Sequence, residues 1–219
     1  LPTSTLLPWQ IPQGTYGSQR LYRVSYSGPE GEGSFRVTLR LATPARYQIQ
    51  AVDPVGRSLW SLDVADDAGI WLNHRGRTFC LFEGRFDVEG APIGPFPLLS
   101  LPSLLVGRVP AEPVAGSAAE TKDGEVTFQD EAGRRWAVAV GEAGQVRRWT
   151  LSERGAPVVW WMFRDDWSIL SDRERGVQIR WREVLRENLD QEPQRLEPPS
   201  GYRETPCEPD LAVEAEPEP

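Results

Sequence analysis

Few residues in this 219-residue chain have types and spacing that could do covalent or acid–base chemistry. The only histidine, His74, lies in Asn73-His74-Arg75-Gly76, a run with the composition of a hairpin turn. A serine–histidine–aspartate relay or a histidine-rich metal site therefore has one imidazole to build on, and His74 reads as a surface turn residue. Asp63, Asp66 and Asp67 invite comparison with paired carboxylates or a cation site, yet Asp66-Asp67-Ala68-Gly69 reads as a turn, as does Asp165-Asp166. The glycine-rich runs Gly14–Gly17 and Gly28–Gly33 lack the strand-to-helix context and the Lys-Ser/Thr of a phosphate cradle, which leaves them as loops. Cys80 and Cys207 form no metal or redox motif. They read first as a small buried hydrophobe and an incidental thiol, and alternatively as a bridge tying the C-terminal tail to the rest in an oxidising compartment. No nucleophile, acid–base pair or metal cluster can be assembled, so the expectation is a non-enzyme with no catalytic residue, no metal and no cofactor.

Of the 24 basic residues all but Lys122 are arginine. Arg147, Arg148, Arg164, Arg180 and Arg182 stand beside aromatic stretches, where they read as outer-face residues; one at a cavity mouth would hold a carboxylate or phosphate. The net charge of -8 argues against nucleic acid as a partner, since phosphate binding needs clustered cations. Glu204, Glu208, Asp210, Glu214, Glu216 and Glu218 carry most of that charge in a proline-containing run without a base, so 204–219 reads as an acidic, disordered tail. No run reaches the roughly 18 apolar residues of a membrane-spanning helix. The Pro/Gly-rich lead 1–19 has the look of a trimmed terminus whose targeting signal is not in this sequence.

The elements that must position any site are strands. From Arg20 to Glu183, short β-branched and aromatic runs alternate with Gly, Pro, Asp and Asn about every ten residues, the mark of an antiparallel meander. Period-two alternation is clean in Phe35, Val37, Leu39 and Leu41, and again in Val177, Ile179 and Trp181. About 11–12 strands are expected, at roughly 20–27, 35–42, 45–52, 58–65, 69–74, 78–83, 124–130, 134–140, 145–152, 157–164, 166–172 and 177–183. Only the leucine-rich run from Pro97 to Gly107 breaks the rhythm: Pro102 is placed to start a helix and Gly107 to end it. So long a meander curls, and its concave face must be filled by side chains, a covering helix or a ligand. Eight of the nine tryptophans fall in predicted strands and would line that face or pack a core.

In pattern and order, four stretches resemble the outer-membrane lipoproteins related to the lipoprotein-localisation factors LolA and LolB. They are the strand Phe35–Ala42, the strand and turn Tyr47–Gly56 followed by Leu59–Val64 and Gly69–Leu72, the helix ending Leu104-Leu105-Val106-Gly107-Arg108-Val109-Pro110, and the closing Val177–Val184 with the exit Pro199-Ser200-Gly201-Tyr202. The resemblance covers about Arg20 to Tyr202. It implies a mainly β fold, a single curved antiparallel sheet forming a half-open β-barrel, with a short helical lid on the concave side. It also implies a periplasmic or outer-membrane-associated protein, often tethered by an N-terminal lipid anchor lying outside this chain, that handles acyl chains. The lipobox cysteine and the N-terminal amphipathic helix of the transport proteins are absent here.

The organisation expected is thus a lead at 1–19, a half-barrel domain at 20–203 and the tail at 204–219. The function expected is binding of a hydrophobic ligand, a lipid or lipoprotein acyl chain, in the concave face, with Trp71, Leu101, Leu104, Leu105, Trp160 and Trp181 as its contacts. The alternative is a structural envelope protein that docks another protein and binds no small molecule.

Overall fold

A computed structural model describes residues 7–29, 31–66, 68–83, 100–120, 125–141 and 144–207. Among these, fourteen strands form one sheet. They are β1 (Ser18–Gly28), β2 (Gly31–Thr43), β3 (Arg46–Val52), β4 (Ser58–Ala65), β5 (Ala68–Asn73), β6 (Thr78–Glu83), β7 (Ala119–Glu120), β8 (Glu125–Gln129), β9 (Arg135–Val140), β10 (Val146–Glu153), β11 (Ala156–Arg164), β12 (Trp167–Asp172), β13 (Val177–Asn188) and β14 (Arg203–Glu204), with helix α1 (Leu101–Leu105) between β6 and β7. Twelve of the strands are those expected from the sequence; the two-residue β7 and β14 are additions. The sheet is open, curled and mainly antiparallel, and it runs β14-β6-β5-β4-β3-β2-β1-β13-β12-β11-β10-β9-β8-β7. The first long strand of the meander pairs with the last, from Ser18 opposite Asn188 to Ser27 opposite Gln178. Two arms therefore run outward from a central seam.

Hairpin chemistry sets the registers. The sequence Asp-x-x-Gly-Arg occurs twice, at Asp53–Arg57 between β3 and β4 and at Asp130–Arg134 between β8 and β9. At Asp130 one carboxylate oxygen accepts from the Ala132 and Arg134 amides and the other from the Arg134 guanidinium and the Trp136 indole. Asp53 repeats this with the Val55 and Arg57 amides and the Arg57 side chain. Burial works to raise the Asp53 carboxyl, but these donors hold it below the usual carboxylate range. In the β11–β12 hairpin, Asp165 and Asp166 both take positive φ, the two-residue turn that their composition suggested.

Residues directly opposite in an antiparallel ladder share a face. Leu39, Ile49, Leu62 and Trp71 follow one another across the first arm, and Ile179, Leu170, Trp161, Trp149 and Val138 across the second. All but Trp71 in these rows are buried, which makes this the inner face. The second arm fills itself with aromatics: ring centroids lie 6.0 Å apart for Phe128–Trp136, 5.2 Å for Trp136–Trp149 and 6.3 Å for Trp149–Trp161. Trp9, from the N-terminal lead, meets Phe128 edge-on at 5.4 Å. The first arm's row of Leu39, Ile49 and Leu62 is aliphatic, and α1 packs over the seam beside it.

The outer face of the first arm is covered by the chain that follows β13. Arg46 donates to the Pro193 carbonyl at 2.7 Å and pairs with Asp63, Gln48 donates to the Gln194 carbonyl, and the Leu196 amide donates to Asp63 at 2.6 Å. This strap then pairs parallel to β6 as β14 and ends in a disulfide between Cys80 and Cys207, whose Cα atoms are 5.1 Å apart. Ile70 and Leu72 are buried on the strap side. One sequence reading is corrected by it. The cysteines are bridged rather than separate thiols. Asp63, inside the strand expected at 58–65, is a buried acceptor for the strap. Glu204 to Cys207 are held against β6, while 208–219 lie outside the described residues.

Candidate hydrophobic binding site

Helix α1 is a single turn, shorter than the sequence suggested. Pro102 sits in its first turn, Ser100 makes no side-chain cap bond, and Gly107 at φ +75° ends it. The approach from Gly90 to Leu99 lies outside the described residues. Leu101 and Leu104 are buried and Leu105 half-buried. Between the helix and the sheet lies a cavity of about 30 Å³, lined by Leu101, Leu104 and Leu105 from α1, Val24 from β1, Phe35 and Val37 from β2, Ile49 from β3, Trp60 from β4, and Ile179 and Trp181 from β13. Its lining is wholly apolar. It sits over the central seam, where the two arms meet.

Of the six residues expected to contact a ligand, Leu101, Leu104, Leu105 and Trp181 line this cavity. Trp71 is on the inner face but one layer back, stacked on the lining residue Trp60 with ring centroids 4.8 Å apart. Trp160 faces the other way. It stands opposite Thr150 and Ser171 on the outer face, while its neighbour Trp161 takes the inward position and packs beneath Gly107. The choice within a Trp-Trp doublet is one of phase, and a slip of one residue reverses it. Of the six other lining residues, Phe35, Val37 and Ile179 belong to the alternating runs of the sequence, so their inward phase was readable. Four of the five arginines singled out make outer contacts: Arg148 with Glu125, Arg164 with Asp165, Arg180 with Gln178, and Arg182 over the Trp167 ring at 5.0 Å.

The lid is tied down at its C-terminal end. The Arg108 amide bonds back to the Ser103 carbonyl at 2.7 Å, the Val109 amide to the Pro8 carbonyl at 3.2 Å, and the Trp181 indole to the Leu105 carbonyl at 3.3 Å.

A second place warrants a test for chemistry. Ser61 Oγ lies 2.9 Å from His74 Nε2, and His74 Nδ1 lies 2.9 Å from the Tyr202 hydroxyl, so His74 is not the simple surface residue its turn implied. Burial lowers its pKa below the usual value, and the neutral imidazole is the form held. A serine–imidazole pair has the outline of nucleophile and base, yet Ser61 is only 4% exposed, and the open hollow beside His74 is lined by Asp53, Arg57, Ser58, Leu59 and Arg75 without it. The hydrogen-bond chain anchors the strap: a turn at Pro199–Tyr202, with Gly201 at φ +86°, delivers Tyr202 to His74. Among the described residues, no three His, Cys, Asp or Glu side chains are grouped to hold a metal, and no helix is long and apolar enough to cross a membrane.

No family model matches the sequence, and no curated protein does. Similar solved structures include a LolA superfamily protein from Nitrosomonas europaea (11% identity, 83% of this chain and 89% of that one, TM-score 0.49). A domain named for outer-membrane lipoprotein sorting from Vibrio parahaemolyticus is also similar (7% identity, 81% and 87%, TM-score 0.47), as is a DUF1329 family protein from Desulfovibrio piger (9% identity, 78% and 85%, TM-score 0.42). The first two carry the name or the lipoprotein-sorting theme of the family that the sequence resembles. At this identity and TM-score the likenesses assign the chain neither membership nor activity.

Proposed function

We propose that this is a non-catalytic binding protein of the cell envelope, which takes up a hydrophobic ligand, a lipid or lipoprotein acyl chain, where α1 meets the inner face. The apolar lining of the cavity under α1 supports this reading, because the lid and both arms contribute to it and no polar atom interrupts it. Its size sets the mechanism. About 30 Å³ holds a water or two, whereas ligand sites run to roughly 300–1,000 Å³, so an acyl chain enters only by lifting the leucines of α1 and occupying their place. A one-turn helix without a side-chain cap is a cheap element to displace. In this reading the half-barrel at 20–203 is the binding unit, 1–19 a lead packed against it through Trp9, and residues beyond Cys207 an acidic tail. The disulfide fits a periplasmic or outer-membrane-associated setting, since such bridges persist where the surroundings are oxidising.

The test is titration with a fluorescent fatty-acid analogue. Saturable binding that is lost in Leu104→Asp supports the reading; absence of binding, or binding indifferent to that substitution, defeats it. The small cavity favours one rival, an interaction protein whose concavity is filled by its own helix. Native mass spectrometry of protein from its own host, followed by organic extraction, separates the two: bound lipid for the carrier, a protein partner without lipid for the rival.

A further inference from the structure

Beyond the apolar cavity, along the same inner face, the sheet carries a charged cluster that neither the strap nor the hairpin turns use. Arg20 on β1 is only 5% exposed and stands opposite Arg186 of β13. Between them lies Glu183, which accepts from Arg20 Nη1 at 3.0 Å and from Arg186 Nε and Nη2 at 2.8 and 3.2 Å. A register shift in the β1–β13 ladder, between Leu21 and Tyr22, leaves Val184 without a partner, and the Glu183–Arg186 bonds span it. Two guanidinium groups thus meet one carboxylate, an excess of one positive charge in a chain of net charge -8.

Beside this cluster the side chain of Tyr22 is almost wholly buried; its hydroxyl oxygen faces the Arg20 guanidinium, a donor, and its proton finds no acceptor among the described residues. Burial pushes that phenol up, with Arg20 drawing it partway back. A buried hydroxyl without an acceptor costs free energy that a bound anion would recover. The cluster is also continuous with the cavity. Tyr22 lies two residues from Val24 and opposite Val37, and Glu183 lies two residues from Trp181; Val24, Val37 and Trp181 all line the cavity. Two residues of strand span about 7 Å, the length of a few methylene groups.

We propose that Arg20, Arg186 and the Tyr22 hydroxyl form a head-group site, which takes the anionic end, carboxylate or phosphate, of an amphiphile whose chain lies under α1. The proposal rests on the binding function above and adds the class of ligand. Glu183 acts as a placeholder, holding both guanidinium groups in position until an anion shares them; the excess positive charge remains for the ligand.

The test compares three ligands of one chain length, decanoate, decyl phosphate and decanol, by isothermal titration below their aggregation concentrations. The wild-type protein is expected to bind one or both anions about tenfold more tightly than decanol, with the stronger of the two identifying carboxylate or phosphate as the source. Arg186→Gln and Tyr22→Phe each reduce that ratio several-fold, while Arg36→Gln, on the outer face, leaves it as it is. Equal binding of anions and decanol, or a preference that survives both inner-face substitutions in folded protein, overturns the head-group site and leaves the acyl-chain reading standing. If none of the three binds, both fall.

Discussion

The indole N–H of Trp181, fixed in the wall of the sheet, donates to the carbonyl oxygen of Leu105 in the last turn of the lid at 3.3 Å. One residue thus forms part of the greasy lining and also fastens the cover above it. Trp181→Phe keeps an aromatic ring and removes the donor. The expected result is a loss of about 1 kcal/mol in stability, faster amide exchange at Val106 to Val109, and faster uptake of a fluorescent fatty acid in stopped flow. Unchanged exchange at those amides would show that the bond does not hold the lid.

The bridge between Cys80 and Cys207 closes a long stretch of chain, 127 residues in separation. Cys80→Ser with Cys207→Ser is predicted to lower stability by about 2–5 kcal/mol, read as a shift in urea midpoint, and to expose the strap to proteolysis near Thr205. Ligand binding should survive, since neither cysteine lines the cavity and the strap's anchors Arg46, Gln48 and Asp63 lie on the face away from it.

His74 supplies a pH dependence. Its folded pKa lies below 6.5 because burial disfavours the imidazolium, so the unfolded chain takes up the proton first as pH falls. Stability from this group is complete above about pH 6.5 and declines between there and the folded pKa. Urea midpoints measured from pH 8 to pH 5 should drop across that interval in the wild type, and less in His74→Gln. Parallel curves would remove His74 from the account.

The two Asp-x-x-Gly-Arg turns should differ in consequence. Asp130 serves a buried indole and an arginine that is 23% exposed, whereas the Arg57 partner of Asp53 is 79% exposed. Asp130→Ala is expected to cost about 3 kcal/mol in chemical denaturation and Asp53→Ala clearly less. Equal losses would mean that the turn amides, common to both, dominate.

How much of this was legible follows from the range of each interaction. Strands and their dry faces are written in local alternation, which is why Phe35, Val37, Ile179 and Trp181 are found where the pattern puts them. Arg20 was equally legible, since it keeps phase with Tyr22 and Val24, but it lies outside the arginines chosen for their aromatic neighbours. The repeated Asp-x-x-Gly-Arg was a local signal as well. Trp160 was not decidable, because a doublet offers two phases and only the ladder with Trp149 and Leu170 selects one. The His74–Tyr202 bond was out of reach, since it joins residues more than a hundred positions apart and nothing local encodes the meeting; the Cys80–Cys207 bridge, as distant, could be named as an alternative only because the chain has just two cysteines.

The seam between β1 and β13 also dictates an order of events. Ser18 finds Asn188 only after every strand of both arms but β14 has been made, so each arm must wait with the seam edge of its long central strand open while the other forms. A polypeptide built this way gains little from folding as it is synthesised. Until the seam closes, its two bare seam strands are where mispairing with another copy would begin.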